Sequence, residues 1–347
     1  MSKKTVNAGG LLIGGGNRIS VQSMTKVKTG DVENCVAQIL RLEEAGCDII
    51  RSSVLDEEDA RAFREIKNRI HIPIVADVHF SARLALLAVE NGADKLRVNP
   101  GNLGGEKEIS LVADCVKRHG VPVRVGANSG SIERRHFEKY GRSAKALVLS
   151  ALEQVKAFEK RGVSDIVISV KASDVPLTAE AYRLLSRETD YPLHVGVTEA
   201  GAGEAAIVKS AIGIGSLLLD GIGDTIRVSL TRDPVEEIYA AKEILRACGL
   251  DKEFVEVVSC PTCGRCEYDC RGLAKRVNER VANVKKRLKI AVMGCVVNGP
   301  GEAKECDLGI AGGRDACVIF YGRGEQIKVS PLDAERVFFE KLEDLLQ

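Results

Sequence analysis

Five cysteines in two short segments carry the densest chemical signal in this chain. Four stand in Ser259-Cys-Pro-Thr-Cys-Gly-Arg-Cys-Glu-Tyr-Asp-Cys270, and Cys295 stands in Gly294-Cys-Val-Val-Asn-Gly-Pro-Gly-Glu302. Cys260 and Cys263 have the C-x2-C spacing, at which one turn of backbone lets both sulfurs point at one metal centre. Cys295 arrives from a separate strand-like run, Leu288 to Val297, that ends on a Gly-Pro-Gly turn. Such a clamp suits a structural zinc or an iron–sulfur cluster. The run Cys260, Cys263, Cys266, Cys270 also has the ferredoxin spacing C-x2-C-x2-C-x3-C, with Arg271 where that pattern has proline.

The elements that must position these groups follow from periodicity. From about residue 19 to 231, an amphipathic helical pattern ending at Gly alternates with a short aliphatic run ending in polar residues. The first helix puts Val32, Val36, Ile39 and Leu42 on one face and stops at Gly46. Strands are expected at Ile19–Met24, Ile49–Val54, Ile74–His79, Lys95–Asn99, Val123–Asn128, Ile166–Ala172, Leu193–Glu199 and Thr225–Leu230. Eight alternations are the arithmetic of a (β/α)8 TIM-type barrel. An open doubly wound sheet is the weaker fit, since no G-x-G-x-x-G follows the first strand. The earlier run Gly9–Gly16 reads as a hairpin closing the barrel bottom.

The pattern breaks around residues 247–256, so residues 1–252 are expected to form the barrel and 253–347 a small α+β module holding the metal. Its expected order is a strand (Val255–Val258), the cysteine loop, a helix (about Leu273–Val284), a strand (Leu288–Met293), a Gly-Pro-Gly loop, two further strands and a helix near Leu332–Leu346. A length of 347 residues suits this division into one large and one small domain.

Composition narrows the function classes. Tryptophan is absent and aromatics are few, so the core must rest on Val, Ile, Leu and Ala, as buried parallel strands do. A net charge of +1 gives no whole-protein reason to expect nucleic acid. Met1-Ser-Lys-Lys-Thr lacks the apolar core of a signal peptide and no apolar run could span a bilayer, so the expectation is a cytoplasmic protein with no membrane partner. Eleven cysteines, an odd number without an export signal, argue against a disulfide framework. Cys35, Cys47, Cys115 and Cys248 sit singly in helical patterns and read as small buried hydrophobes.

Residues two apart on a strand share a face, so each strand can be read for what it aims at the barrel mouth. The second offers Arg51, the third Asp77 and His79, the fourth Arg97 and Asn99, the fifth Arg124 and Asn128. The sixth offers Ser169 and Lys171, the seventh His194 and Glu199, the eighth Arg227 and Ser229. Four arginines and a lysine from five strands thus converge on one end, and the same faces carry far fewer acids. Packed cations repel unless a strong anion compensates, and a diphosphate accepts the guanidinium fork well. His79 beside Asp77 is a plausible substrate contact, with a satisfied core histidine as the alternative, and Glu199 is the best candidate for a general acid or a charge partner of a reacting carbon, with a salt bridge as the alternative. The glycines of Ala211–Gly215 and Gly221–Asp224 lie between strands seven and eight, where barrels often bind phosphate, although turn formation explains them nearly as well.

With these residues assembled, the chain resembles the 4-hydroxy-3-methylbut-2-enyl diphosphate synthase family, in its two-domain bacterial form. The matching segments include Val21–Thr25, Ala76–His79, Arg97–Asn102, Arg124–Gly130, Gly196–Gly201, Gly221–Leu230, Ser259–Arg265 and Gly294–Glu302. The resemblance implies a [4Fe–4S] cluster held by Cys260, Cys263 and Cys295, with Glu302 as a fourth ligand weak enough to yield to substrate oxygen. It implies 2-C-methyl-D-erythritol 2,4-cyclodiphosphate as substrate, its diphosphate held by Arg51, Arg97, Arg124 and Lys171 with His79, Asn99 and Asn128 in support. It also implies a head-to-tail homodimer. Cys266 and Cys270 depart from the family pattern and leave open a four-cysteine cluster within residues 260–270; Cys306 and Cys317 are expected to be packed.

No flavin or nicotinamide fingerprint is present, so electrons must come from outside. Residues 271–289 carry eight basic residues and one acid, Glu279, a stretch that could dock an acidic flavodoxin or ferredoxin or simply form a solvated helix face. The rival from another class is a phosphate-binding barrel with a zinc-ribbon-like tail acting as a binding module. Zinc would favour Cys260, Cys263, Cys266 and Cys270 and would need no Glu302.

Overall fold

In the strand Ile49–Val54, Ile50 and Val54 belong to the aliphatic core under the helices, while Arg51 and Ser53 belong to the other face. The computed structural model, which describes residues 2–99, 103, 105–251, 253–266, 268–282, 284–295, 297, 299–322 and 324–347, repeats this sorting around a whole barrel. The motif residues Pro100, Gly101, Asn102, Val296 and Asn298, and the boundary residue Lys252, lie outside the described residues.

The first unit, Met1–Leu250, opens with the antiparallel hairpin β1 (Thr5–Ala8) and β2 (Leu11–Gly14). The barrel strands are β3 (Ser20–Met24), β4 (Ile49–Val54), β5 (Ile74–Val78), β6 (Lys95–Val98), β7 (Val123–Asn128), β8 (Ile166–Lys171), β9 (His194–Val195) and β10 (Thr225–Ile226). All pair in parallel in the order β8-β7-β6-β5-β4-β3-β10-β9, and a bridge from Ile168 to Leu193 joins the two ends. The helices are α1 (Val32–Ala45), α2 (Glu57–Lys67), α3 (Ala82–Glu90), α4 (Glu106–His119), α5 (Arg134–Tyr140), α6 (Ala144–Glu159), α7 (Val175–Glu188), α8 (Gly203–Leu219) and α9 (Pro234–Ala247). The short α5 is an insertion that periodicity did not announce. Ala8 and Ile13 of the hairpin pack on Ile49 and Val75, at the starts of β4 and β5, so the hairpin does plug the bottom.

Two strand expectations need correction. The last two barrel strands are only two residues long, because the chain leaves the ladder after Val195 and after Ile226. Glu199 therefore sits in a turn rather than on a strand end, with φ of 54°. The glycines of Ala211–Gly215 lie inside α8, and Gly221–Asp224 lies between α8 and the start of β10, at the end of the barrel away from the mouth. They make no phosphate cradle. Gly213 is instead a close-approach residue: a Cβ there would stand 2.5 Å from the Val197 Cγ2.

The second unit, Asp251–Gln347, is a five-stranded sheet of β11 (Val255–Ser259), β12 (Leu288–Met293), β13 (Leu308–Ala311), β14 (Cys317–Tyr321) and β15 (Glu325–Val329). The first three are parallel and the last two antiparallel, so three strands follow the Gly-Pro-Gly segment where two were expected. One face is covered by α10 (Cys270–Val281) and α12 (Ala334–Leu346) through Leu273, Val277, Phe338 and Leu342. The other carries α11 (Gly299–Lys304), which begins at the Gly-Pro-Gly residues expected to form a loop, and packs Ala303 against Ala291 and Ala311. Cys306 and Cys317 are buried in these cores. Cys35, Cys47 and Cys115 are buried in the barrel core, with Cys248 packed against it.

Replacing Gly213 with alanine tests the close approach of α8. In an open helix the change would stabilise by roughly 1 kcal/mol. Here urea unfolding is expected to show a loss of about 1–3 kcal/mol from overpacking against Val197.

Candidate active site

The strand registers, followed around the barrel with the stagger of this architecture, stack the inward side chains in tiers. Ile49, Lys95, Val167 and Thr225 form the floor. Gln22, Val75, Arg124 and His194 lie above them, then Arg51, Arg97, Ser169 and Arg227, then Met24 and Asp77 with two glycines, Gly126 and Gly196. Ser53, Asn99, Lys171 and Ser229 complete the mouth. Barrel interiors are ordinarily filled by aliphatic tiers. This one is charged almost to its floor.

Asp77 organises the upper tiers. Its carboxylate lies 3.0 Å from Arg97, 3.4 Å from Arg51 and 3.6 Å from His79, and the residue is 4% exposed. Burial opposes its ionisation, but Arg51, a hydrogen bond to His79 and Arg97 prevail and hold the acid well below the usual carboxylate range. Arg51 also lies against the Met24 thioether, and Arg124 donates to the Gln22 amide oxygen at 2.6 Å. The Lys171 amine sits where a Cβ on Gly196 would come within 3.0 Å, so that glycine clears its space. Burial, then Arg124, Arg51, Arg227 and Arg97, push the Lys171 amine well below its ordinary value. The second buried acid is Glu237 of α9, within 3.6 Å of Arg227 and 3.4 Å of Lys26, and bonded to Ser23 and the Leu230 N–H.

The sequence-predicted residues therefore separate. Arg51, Asp77, His79, Arg97, Arg124, Lys171 and Arg227 form one electrostatic cluster. Asn99 accepts from Gln154, while Asn128 has its backbone N–H on Ser131. Ser169 and Ser229 are half-buried at the tiers given above. His194 is fully buried, a tier below Arg51 and Arg97, and Glu199 is exposed. Lys95 was missed although it precedes Arg97 by two residues and so shares its face. Glu237 could not have been found that way, because it reaches the barrel from a helix. A cavity of about 610 Å³ opens elsewhere, lined by Ser2, Asp190, Leu193 and Asp224 at the barrel bottom, away from these groups.

In the second unit, Cys260 follows β11 and Cys295 follows the neighbouring parallel strand β12, with the Cys260 N–H on the Val292 carbonyl at 3.0 Å. Both thiols thus leave the carboxyl ends of adjacent strands, where Glu302 on α11 also follows. Gly294 has no Cβ to obstruct them: one there would lie 2.8 Å from the Cys266 sulfur and 3.5 Å from that of Cys260. Thr262, between Cys260 and Cys263, has φ of 58° and with Glu199 is the other non-glycine residue in the left-handed region among the described residues. Cys260 and Cys295 thus share one end of the sheet, and three thiols with a carboxylate would be a donor set suited to a cluster with one labile iron. Among the described residues, no three His, Cys, Asp or Glu side chains close on a single metal position. Cys270 is committed inward, 1% exposed with its sulfur 3.4 Å from the Val292 carbonyl. The basic stretch is partly neutralised, since Arg276 pairs with Glu335 and Asp269, and Arg280 with Glu343.

No helix among the described residues is long and apolar enough to cross a membrane. The barrel resembles a type I 3-dehydroquinate dehydratase from Clostridium difficile (TM-score 0.53, 15% identity, 71% of this chain and 97% of that one). It is similarly close to a dihydropteroate synthase from Stenotrophomonas maltophilia (TM-score 0.51, 18% identity, 70% and 97%), likenesses of fold alone. Residues 3–242 match the family model described as the GcpE TIM-barrel domain, and residues 256–344 the GcpE protein C-terminal domain. Proteins named 4-hydroxy-3-methylbut-2-en-1-yl diphosphate synthase (flavodoxin) are similar along nearly the whole chain. That of Caldanaerobacter subterraneus subsp. tengcongensis is 58% identical, covering 91% of this chain and 90% of that protein. That of Clostridium perfringens is 53% identical, covering 94% and 93%. A cationic barrel followed by a cysteine-bearing α+β unit, matched along both parts, makes this chain a member of the GcpE family.

Proposed function

We propose that this chain is a cytoplasmic enzyme catalysing the two-electron reductive ring opening and dehydration of 2-C-methyl-D-erythritol 2,4-cyclodiphosphate to 4-hydroxy-3-methylbut-2-enyl diphosphate. The observation that carries the reading is the charge imbalance in the barrel. Arg51, Arg97, Arg124 and Arg227, with the buried amine of Lys171, face two buried acids, Asp77 and Glu237. An interior so weighted calls for a compact polyanion, and forked guanidinium donors suit a diphosphate.

Arg51, Arg97, Arg124 and Lys171 hold the diphosphate, with His79, Asn99 and Asn128 in support. Asp77 keeps the Arg51 and Arg97 forks in fixed directions, so little reorganisation is needed when charge develops on the departing phosphate oxygen. The ring opens at a carbon–oxygen bond to phosphate, the neighbouring hydroxyl leaves as water, and two electrons and two protons are consumed. Glu199, exposed on its strained turn, supplies a proton or compensating charge beside the reacting carbons.

Cys260, Cys263, Cys295 and Glu302 would hold a [4Fe–4S] cluster, which when bound supplies electrons singly to the substrate. An external flavodoxin or ferredoxin delivers those electrons, docking on the basic residues of 271–289 that α12 leaves unneutralised. The family resemblance supports a head-to-tail homodimer in which each small unit caps its partner's barrel. The kinship along both domains, rather than the burial of Cys270, weighs against the zinc-ribbon alternative, since Cys295 is buried too and Cys270 lies within reach of Cys260 and Cys266.

Protein purified without oxygen is expected to be brown, with iron and acid-labile sulfide in equal amounts; colourless protein with stoichiometric zinc would instead support the binding-module reading. Glu302→Ala is expected to lower turnover more than Cys270→Ala, and the reverse order would displace Glu302 from the ligand set. Lys171→Met is expected to lower kcat/KM about thirtyfold, equivalent to roughly 2 kcal/mol for one lost charged hydrogen bond, without a change in thermal midpoint. An unchanged kcat/KM would remove Lys171 from the diphosphate grip.

A further inference from the structure

Beneath the diphosphate grip lies a second group of polar side chains for which the mechanism above has no use. Lys95 and His194 are each 0% exposed, as are Ser20 and Thr225. Among the described residues, neither the Lys95 amine nor either ring nitrogen of His194 has a hydrogen-bond partner, and the same holds for Ser20 Oγ, Thr225 Oγ1, Gln22 Nε2 and Arg124 Nε. Lys95 acts electrostatically on His194. Thr225 is paired in register with both Ser20 and His194, and the Lys95 and His194 tiers are adjacent. Burying so many polar groups unpaired costs free energy, which a purely structural floor would avoid with aliphatic residues.

The surroundings decide which protonation state each group takes. Lys95 faces Arg124 of β7 and Arg51 of β4, and His194 faces Lys171 of β8, Arg124, Lys95 and Arg51, with Arg97 of β6 and Arg227 after β10 in the tier of Arg51. Against these stand Asp77 of β5, already engaged by Arg51, Arg97 and His79, and Glu237 of α9, engaged by Arg227 and Lys26. Burial first, then Arg124 and Arg51, depress the Lys95 amine well below its ordinary value. Burial, then Lys171, Arg124 and Lys95, do the same to His194. In the empty barrel both groups therefore give up a proton more readily than they would in water.

We propose that Lys95 and His194 form a buried proton reserve that is charged when a diphosphate docks in the tiers above. The inference rests on the substrate reading of the preceding section and deepens it. A dianion overhead lowers the local positive potential, so the protonated forms become more favoured and protons move in from solvent. By linkage, substrate binding strengthens as pH falls through the range in which these groups are neutral in the empty site and protonated in the loaded one. The reserve then holds positive charge directly under a reaction that itself consumes two protons. Neither side chain need touch the substrate, which makes them positioning residues acting through electrostatics.

The cyclic substrate suits the test, because each of its phosphorus atoms carries one ester, one anhydride and one strongly acidic oxygen. Any proton taken up near neutral pH therefore comes to the protein. Titration calorimetry of the full-length protein with this compound, in two phosphate-free buffers of different ionisation enthalpy at one pH, reads the number of protons absorbed. The wild type is expected to absorb about one proton per site or more, and Lys95→Met to lose most of one while still binding. His194→Gln is expected to reduce uptake in the same direction, and Lys95→Gln repeats the test should the methionine variant fold poorly. Binding with undiminished uptake in the Lys95 and His194 variants would overturn the reserve alone. No binding heat from the wild type would overturn the substrate assignment and the reserve with it.

Discussion

The barrel depends on a surplus of buried positive charge held together by two carboxylates. Asp77 holds Arg51, Arg97 and His79 at once, and Glu237 holds Arg227 and Lys26 from a different direction. Pairs of this kind gain little net stability, because desolvating the ions offsets most of their attraction. What they do secure is direction: each guanidinium has one or two fixed contacts and a remaining set of donors aimed inward. Four arginines and two buried amines gathered around two acids leave the interior short of negative charge.

The same tension explains the choice of small residues near the mouth. Gly126 and Gly196 occupy positions where a Cβ would strike Ser169 or approach Lys171, so the cations and hydroxyls can crowd together without displacing the strands. The outward faces of those strands carry Val, Ile, Leu and Ala against the helices. One sheet therefore separates an apolar ring from a charged interior, and stability comes from the ring while binding comes from the interior. In the small unit Cys270 and Cys317 fill the core under α10 and α12, while Cys260 and Cys266 pack against that core, Cys263 is exposed and Cys295 is buried. Depth alone therefore does not sort these cysteines.

Much of this was legible from residue order. Alternation within strands such as Ile49–Val54 and Val123–Asn128 marked the barrel, and the same parity rule selected Arg51, Asp77, Arg97, Arg124 and Lys171 as one inward set. Where the reading slipped, a local signal was ambiguous. The Ala211–Gly215 glycines resembled a loop, but helix α8 needs Gly213 to approach Val197. The Gly-Pro-Gly segment resembled a turn, yet proline is well tolerated in the first turn of a helix, and α11 begins there. Lys95 was overlooked because a lysine at a strand start usually faces solvent.

Sequence by itself determined the period-two sorting of side chains, the eight repeats, the cysteine spacing and the family, since all of these are local patterns along one chain. Depth and partnership were decided only by the tertiary structure. Closing the sheet converts one-dimensional parity into tiers whose stagger brings residues from distant strands to one level. Hence His194 became a buried neighbour of Lys95 rather than a group at the mouth, and Glu237 entered the barrel from a helix. Electrostatic coupling acts through space, so its pattern cannot be read until the strands have met.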